Sequence, residues 1–436
     1  MNTRLFGILA SVLLSSLALL GCETNAGRIE KRPPADPQSS TLPDPVPPTI
    51  EDRGERLTKI TKLGVIPADE ITKIRKTTRT SDQKTMFDKL GKATCGVEIS
   101  KVNYVTAGSD GTPVTVSGLL VQPTQADGTA FSAKEMASKR WLAQQHGTLT
   151  ERKLAPSNAL SSQEGPGMII AYGGNCWIVT AADYIGLGDS LDVHPYLDAK
   201  TESMAAIDLI QAVYEINKTA FAPRALGIYG YSQGGHAALA LQRDLEAGEL
   251  PGFGVRASVA GAAPADLAGT GVAHVFAEKP STGASLFMGY FINGLQASDP
   301  KIPLEQILVE PFLSKNSKLF SGVTPFDQIL GELQVAPQTM LEPKALASLN
   351  SRDGNSVLLQ ALERNQVYKF VPQAPTLFIH GEADSWVPAQ HSIVAIGWMR
   401  ANGAKNVSSM ILPNLDHPQA GEPAFYTGML WLQGQF

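Results

Sequence analysis

Near the middle of the chain a strand runs straight into a helix through a glycine-rich turn, and few arrangements tolerate that. Leu226-Gly227-Ile228-Tyr229 leads in as a strand, Ala237 to Leu241 leads out as a helix, and Gly230-Tyr231-Ser232-Gln233-Gly234 joins them. A turn this sharp strains its central residue and lifts that side chain above the end of a sheet. Gly230 and Gly234 keep side chains out of the crowded turn. The helix N-terminus points free N–H groups at any negative charge that develops there. The G-x-S-x-G pattern alone is weak, and a serine that merely caps a helix is the plain alternative. The flanking strand and helix favour an exposed, nucleophilic Ser232.

A serine hydroxyl is a poor nucleophile until a base takes its proton. The chain offers seven histidines. His236 lies on the elbow helix and points away from the serine, and His274 falls in a later insertion. His194, in His194-Pro195-Tyr196, reads as structural. His146 and His380 end strands, and His391 is helical. His417 follows the strand-like Met410-Ile411-Leu412 and precedes the last helix, where the chain order Ser, Asp, His puts the base. An acid should orient that imidazole. Asp384 sits in the loop beyond the strand Thr376-Leu377-Phe378-Ile379 and is the expected third member. Glu382 is its rival, and Asp416 has no strand to place it. A developing oxyanion needs two backbone N–H donors. Gln233, directly after the serine, supplies one. The other comes from Gln145-His146-Gly147-Thr148-Leu149-Thr150, with Leu149 favoured and Thr148 next.

The rest of the chain supplies a scaffold for such a site. Val97 to Val105 and Val114 to Val121 form an antiparallel hairpin through Gly108-Ser109-Asp110-Gly111. Strands follow at Trp141 to Gln145, Trp177 to Ala182, Ala225 to Tyr231, Val255 to Val259, Thr376 to Ile379 and Val407 to Leu412. Helices are expected at Ala205 to Ile216, Gly235 to Glu246, Pro388 to Arg400 and Glu422 to Leu432. This order implies an α/β protein with a mostly parallel sheet and helices on both faces. Alternation stops from Asp266 to Phe370, which reads as an inserted, mainly helical cap between core parts 51–265 and 371–436. Within it Leu286 to Ile292 is apolar nearly all round, and Ile302 to Leu313 adds Leu304, Ile307, Leu308, Val309 and Phe312. Helices of this kind are buried or face an apolar ligand.

Composition agrees. At 43% hydrophobic and 18% charged residues the chain has the makings of a core, and a net charge of −5 with no basic block lacks the footprint of a nucleic-acid binder. Three cysteines are too few for a disulfide scaffold and too scattered for a zinc site. No metal is expected.

The N-terminus reads as an address. Arg4 precedes an apolar run, Leu5 to Leu20, that is shorter than the ~20 residues of a membrane span. It fits a signal peptide over residues 1–21. Leu19-Leu20-Gly21-Cys22 resembles the lipobox of bacterial lipoproteins, which implies cleavage before an acylated Cys22 and anchoring by lipid alone. Glu23, where an Asp often retains lipoproteins at the inner membrane, leans towards an outer membrane. Residues 22–50 include Pro33, Pro34, Pro37, Pro43, Pro45, Pro47 and Pro48. They read as an extended tether.

Together these segments resemble an α/β-hydrolase and, more narrowly, the secretory lipase family. The resemblance rests on Gln145-His146-Gly147-Thr148, Ala182-Asp183-Tyr184-Ile185-Gly186-Leu187-Gly188, His194-Pro195-Tyr196, the elbow, and the Asp384 and His417 segments. It implies an eight-stranded sheet, a Ser-His-Asp triad, and hydrolysis of carboxylic esters, small or lipid, with no cofactor. Asp183 precedes the nucleophile and heads a Gly-rich turn, so it reads as structural. Two other readings stand beside this one: a serine peptidase or amidase of the same fold, and a membrane-anchored binding protein without turnover. Export leads to an oxidising compartment, and acylation of Cys22 leaves Cys95 and Cys176 to pair. Against that pairing, one expected strand lies between the two that these cysteines precede, so the sequence leaves it open.

Overall fold

The computed structural model describes residues 54–77, 81–162, 164–277, 281 and 283–436. The leader, Cys22 and the tether to residue 50 lie outside the described residues.

Nine strands form one sheet: β1 Leu57–Ile66, β2 Gly96–Ala107, β3 Pro113–Thr124, β4 Trp141–Gln145, β5 Ile178–Ala182, β6 Ala225–Tyr231, β7 Gly254–Gly261, β8 Thr376–Gly381 and β9 Val407–Leu412. Their order is β1-β2-β3-β5-β4-β6-β7-β8-β9. The first three pairs along this order are antiparallel and the remaining five are parallel. The central strands β4, β5 and β8 are buried along their whole length. Strands covered on both faces are mostly apolar, and the polar Gln144, Gln145, Thr180, Thr376 and His380 are buried with them.

The sheet has nine strands where eight were expected, because β1 carries no alternation to betray it. Its register against β2 shifts between Leu57 and Lys59 and again between Lys62 and Gly64. Each shift resets the period of two on which strand recognition depends. Half of its residues are exposed at the sheet edge, Lys59 and Lys62 among them. Charges of this kind discourage a second chain from pairing there.

Two apolar layers cover the sheet. On one face Val102, Tyr104, Leu120, Trp141 and Ile228 pack under Ala205, Leu209, Val213, Ala237 and Leu241 of the helices Ala199–Ile216 and Gln233–Glu246. On the other, Ile99, Val121, Leu142, Val179 and Tyr229 meet Met168 to Tyr172 and Ala424, Met429 and Leu432 of the last helix. That helix begins at His417, five residues before the expected Glu422. Asp416 caps it in a reciprocal box with Gln419, and Pro418 is tolerated in the first turn, where its missing N–H has no partner to lose.

Between β7 and β8 lie short helices with an apolar cluster of their own, including Leu286, Ile292, Leu308, Ile329, Met340 and Leu359. Ile302 to Leu313 is not one helix. It holds a single 3-10 turn, Leu304–Gln306, then a bridge from Leu308 to Leu341, and a helix only from Phe312. Pro311 explains the break, since a residue before proline is pushed out of helical geometry.

Cys95 and Cys176 are joined by a disulfide with their Cα atoms 5.3 Å apart. Strand β3 does lie between β2 and β5. The bond forms nonetheless because residues 168–176 cross the face of the sheet: Gly173 packs against Val97 and Val121, and Cys95 N–H donates to the Gly174 carbonyl. The sequence separation is 81, which on a chain-entropy argument corresponds to about 4–5 kcal/mol at most. Replacing both cysteines by serine is expected to lower unfolding free energy by about 2–5 kcal/mol in urea titration. Alkylation of both thiols in unreduced, denatured protein would refute the link.

Candidate active site

Parallel pairing of β4 with β6 sets Gln145 opposite Gly230, so the loop after β4 starts beside the elbow. Asp384 lies in the loop after β8, and His417 opens the helix that follows β9. Three separate strand ends therefore feed one place at the carboxyl edge of the sheet, where open α/β sheets bind ligands.

Ser232 sits at φ 60° and ψ −123°, outside the regions open to ordinary residues. Its N–H donates to the Gly261 carbonyl at 2.9 Å. A Cβ on Gly230 would strike the Gly234 carbonyl, one on Gly234 the Gln145 carbonyl, and one on Gly235 the Gly261 carbonyl. All three glycines are forced by close backbone approach.

Ser232 Oγ is 2.9 Å from His417 Nε2, and His417 Nδ1 is 2.7 Å from Asp384 Oδ2. The other carboxylate oxygen, Oδ1, accepts from the N–H groups of Trp386 (3.0 Å) and Val387 (2.8 Å). Burial opposes charge on Asp384. The hydrogen bonds from His380 and His417, the positive form of His417 and the Val387 N–H outweigh it and hold the carboxyl well below its ordinary range. The His417 ring lies between Tyr231 and Trp386, with centroids 5.1 and 5.5 Å away. Tyr231 also donates its hydroxyl to the His417 carbonyl at 2.6 Å.

The rival carboxylates lie elsewhere. Glu382 is exposed and accepts from the Asn414 N–H at 3.1 Å. Asp416 caps the last helix. Asp183 is fully buried, accepts from Ser117 Oγ (2.6 Å) and Ser157 N–H (2.7 Å), and burial lifts its pKa to about 6. It belongs to a serine cluster within the fold.

The backbone donors are prepared unequally. The Gly147 N–H is committed to Glu164 Oε1 at 2.8 Å. The N–H groups of Thr148, Leu149 and Gln233 have no partner among the described residues. Their loop is nevertheless held: Thr148 Oγ1 bonds Tyr196 Oη at 2.9 Å, and the Leu149 carbonyl accepts from Tyr290 at 2.8 Å. The Gln233 side chain donates to both Glu202 (2.8 Å) and His194 Nε2 (2.8 Å). His194 accepts there because its Nδ1 faces the Ile185 carbonyl at 2.8 Å. Burial lowers its pKa to about 3, so the ring is neutral.

Sequence reasoning missed Trp386, His380 and Glu202 as supports of the site. Glu202 meets Gln233, and the Trp386 ring meets His417, about thirty positions along the chain, while His380 meets Asp384 four residues on without forming any recognisable motif. Tyr231 stood inside the elbow motif, but its role depends on a bond to a residue 186 positions away.

Ser232 opens onto an apolar pocket of ≈ 880 Å³, mouth included. Phe287, Met288 and Phe291 from the helix Ala284–Ser298 form much of one wall, with Leu358 and Leu362 beyond them.

Because hydrogen bonds and the His417 charge hold the folded Asp384 carboxyl below its unfolded value, ionised Asp384 favours the folded state. The resulting stability is complete above the unfolded carboxyl value of about 3.9 and is lost as pH falls through the lower folded value. Acid unfolding of Asp384→Asn should therefore be less steep below about pH 4 than that of the wild type, as read by circular dichroism.

Several solved structures resemble this fold. A hydrolase-like protein of Legionella pneumophila is 26% identical with a TM-score of 0.76, over 87% of this chain and 98% of that one. The rice cell wall degrading esterase LipA of Xanthomonas oryzae is 24% identical with a TM-score of 0.72, over 88% and 98%. Candida antarctica lipase A in its closed state shares the fold at 15% identity and a TM-score of 0.61, over 86% and 82%. No curated protein matches the chain by sequence. The secretory lipase family matches residues 152–410, more than half of the sequence. The chain belongs to the secretory lipase family and is a hydrolase of esters.

Proposed function

We propose that Ser232, His417 and Asp384 act as a catalytic triad that cleaves carboxylic esters through an acyl-enzyme. The observation that carries the reading is the unbroken chain Ser232 Oγ, His417 Nε2, His417 Nδ1, Asp384 Oδ2 at the wall of an apolar pocket. In this mechanism His417 takes the serine proton as Oγ bonds to the ester carbon. The carbonyl oxygen becomes an oxyanion, received by the N–H of Gln233 and that of Leu149 or Thr148. The tetrahedral adduct collapses and expels the alcohol, which leaves with the proton held by His417. Water then attacks the acyl-enzyme by the same route in reverse and frees the acid. Asp384 holds the imidazole in register and stabilises its charged form.

Ser232→Ala is expected to lower kcat by about 10⁴–10⁶ with the fold intact. Asp384→Ala and His417→Ala should fall steeply, and Glu382→Ala little. A folded Ser232→Ala protein that keeps most of its activity removes the triad. Comparing a p-nitrophenyl ester with the matching p-nitroanilide separates this reading from a peptidase or amidase, and turnover of neither leaves a binding protein.

Residues 266–370 act as a cap in this reading and set acyl-chain preference. Leu286 and Ile292 are wholly buried in the segment's own core, whereas Phe287, Met288 and Phe291 face the pocket. One helix thus serves both packing and the pocket wall. Each methylene that enters the pocket contributes about 0.8 kcal/mol, or roughly fourfold in kcat/KM. Activity on esters of rising length should climb and break off at one length. Bulky or polar substitution at Phe287 or Phe291 should move that break. Equal loss on every ester assigns both residues to core packing alone.

Export suits this activity. A lipid anchor at Cys22 rests on the sequence: mass spectrometry of the mature N-terminus is expected to find Cys22 acylated, and an unmodified Cys22 or an uncut leader overturns it.

A further inference from the structure

Two histidines, His274 and His391, interrupt the otherwise largely apolar pocket beside Ser232. His391 is in the first turn of the helix Gln390–Ala401 and only 3% exposed. Its Nδ1 accepts a hydrogen bond from the Asp266 N–H at 3.1 Å. A ring nitrogen that accepts carries no proton, so in the neutral ring the proton is on Nε2. Burial depresses its pKa to about 3, which keeps the ring neutral.

The backbone group that fixes this tautomer is itself fixed. Asp266 caps a single π-turn, Leu267–Gly271, and its carboxylate accepts from the N–H groups of Gly269 (3.2 Å) and Thr270 (2.8 Å) and from Thr270 Oγ1 (2.8 Å). Turns of this type recur at functional sites. Gly271 and Val272, at the end of the same turn, line the pocket too.

The Nε2–H of His391 has no hydrogen-bond partner among the described residues. It is also not among the side-chain atoms sealed away from solvent without a partner. An unpaired donor on a nearly buried ring that lines the cavity therefore opens into the cavity. His274, half-buried nearby, places its Nε2 against the Ser385 carbonyl at 2.9 Å and so keeps a lone pair on Nδ1. A pocket meant only for hydrocarbon gains nothing from a buried N–H, because closing over it with a methylene leaves it unpaired.

We propose that the His391 Nε2–H is a specificity-determining donor, and that the pocket prefers acyl chains bearing an oxygen, as a carbonyl or hydroxyl, over plain hydrocarbon chains. This inference rests on the reading of the protein as an esterase acting through Ser232. The oxygen accepts from His391. A hydroxyl can in addition donate to His274 Nδ1, whereas a carbonyl tests His391 alone.

The test compares p-nitrophenyl esters of straight-chain acids with their oxo analogues of equal length. The carbonyl is moved along the chain, always several carbons from the ester so that intrinsic reactivity is unchanged. The wild type should favour the oxo ester by about tenfold or more in kcat/KM at one carbonyl position, falling off on either side. His391→Leu should bring that ratio to within about threefold, and His391→Gln, which keeps a donor, should restore part of it. If His391→Leu does not fold, the wild-type position scan and His391→Gln decide. A wild type that treats oxo and plain esters alike overturns the proposal, as does a preference that His391→Leu leaves in place. An equal loss on all esters in His391→Leu, with the ratio unmoved, makes His391 structural and also overturns it. Failure of the wild type to hydrolyse any ester strikes the esterase reading instead.

Discussion

The strained backbone at Ser232 is the constraint on which the rest of the site depends. A non-glycine residue at φ 60° costs of order 1–3 kcal/mol and persists only where its surroundings over-determine it. Here they do so from three sides. Parallel register on β4 and β7 fixes the strand that enters the turn. The hydrogen bond from Ser232 N–H to Gly261 fixes the turn itself. Gly230, Gly234 and Gly235 let three backbone segments touch where any Cβ would collide. The strain directs Oγ out of the sheet and leaves the Gln233 N–H free at the start of a helix.

Around that fixed point the imidazole and the donor loop are positioned by rings. Tyr231 and Trp386 flank His417, and Trp386 is itself packed against Phe287 and Phe326 from the segment between β7 and β8. Tyr290 of that same segment bonds the Leu149 carbonyl and stacks on Tyr196, with centroids 4.4 Å apart, while Tyr196 bonds Thr148. The inserted segment thus touches the donor loop directly and reaches the base through Trp386, as well as walling the pocket. A shift of its helix Ala284–Ser298 would be felt at Leu149 through Tyr290 and at His417 through Phe287 and Trp386.

Much of this was legible in the sequence wherever the physics is local. The elbow showed itself because glycine spacing, strand and helix are all read within a dozen residues. A buried strand such as β5 announced itself by the run Trp177 to Ala182, in which Thr180 is the one polar residue. Asp384 and His417 followed from chain order after strand ends. The failures have equally local causes. Register shifts in β1 erased its alternation, Pro311 broke the run from Ile302, and the cap and proline of the last helix hid its true start at His417. The Cys95–Cys176 link could not be settled because it depends on a segment crossing a sheet face, which strand order alone does not reveal.

The sequence by itself therefore determined the α/β class, the turn that exposes Ser232, and the residue types from which a base and an acid had to be drawn. Each is a consequence of short-range sterics or of periodic burial, and each survives any particular packing. Only the tertiary structure decided which carboxylate meets His417, which N–H groups stay free beside the serine, and where the unpaired His391 donor opens. Those outcomes turn on contacts between residues tens to hundreds of positions apart, such as Asp266 with His391 and Tyr231 with His417. Distances of a few tenths of an ångström separate a hydrogen bond from none, and no local pattern of residues encodes them.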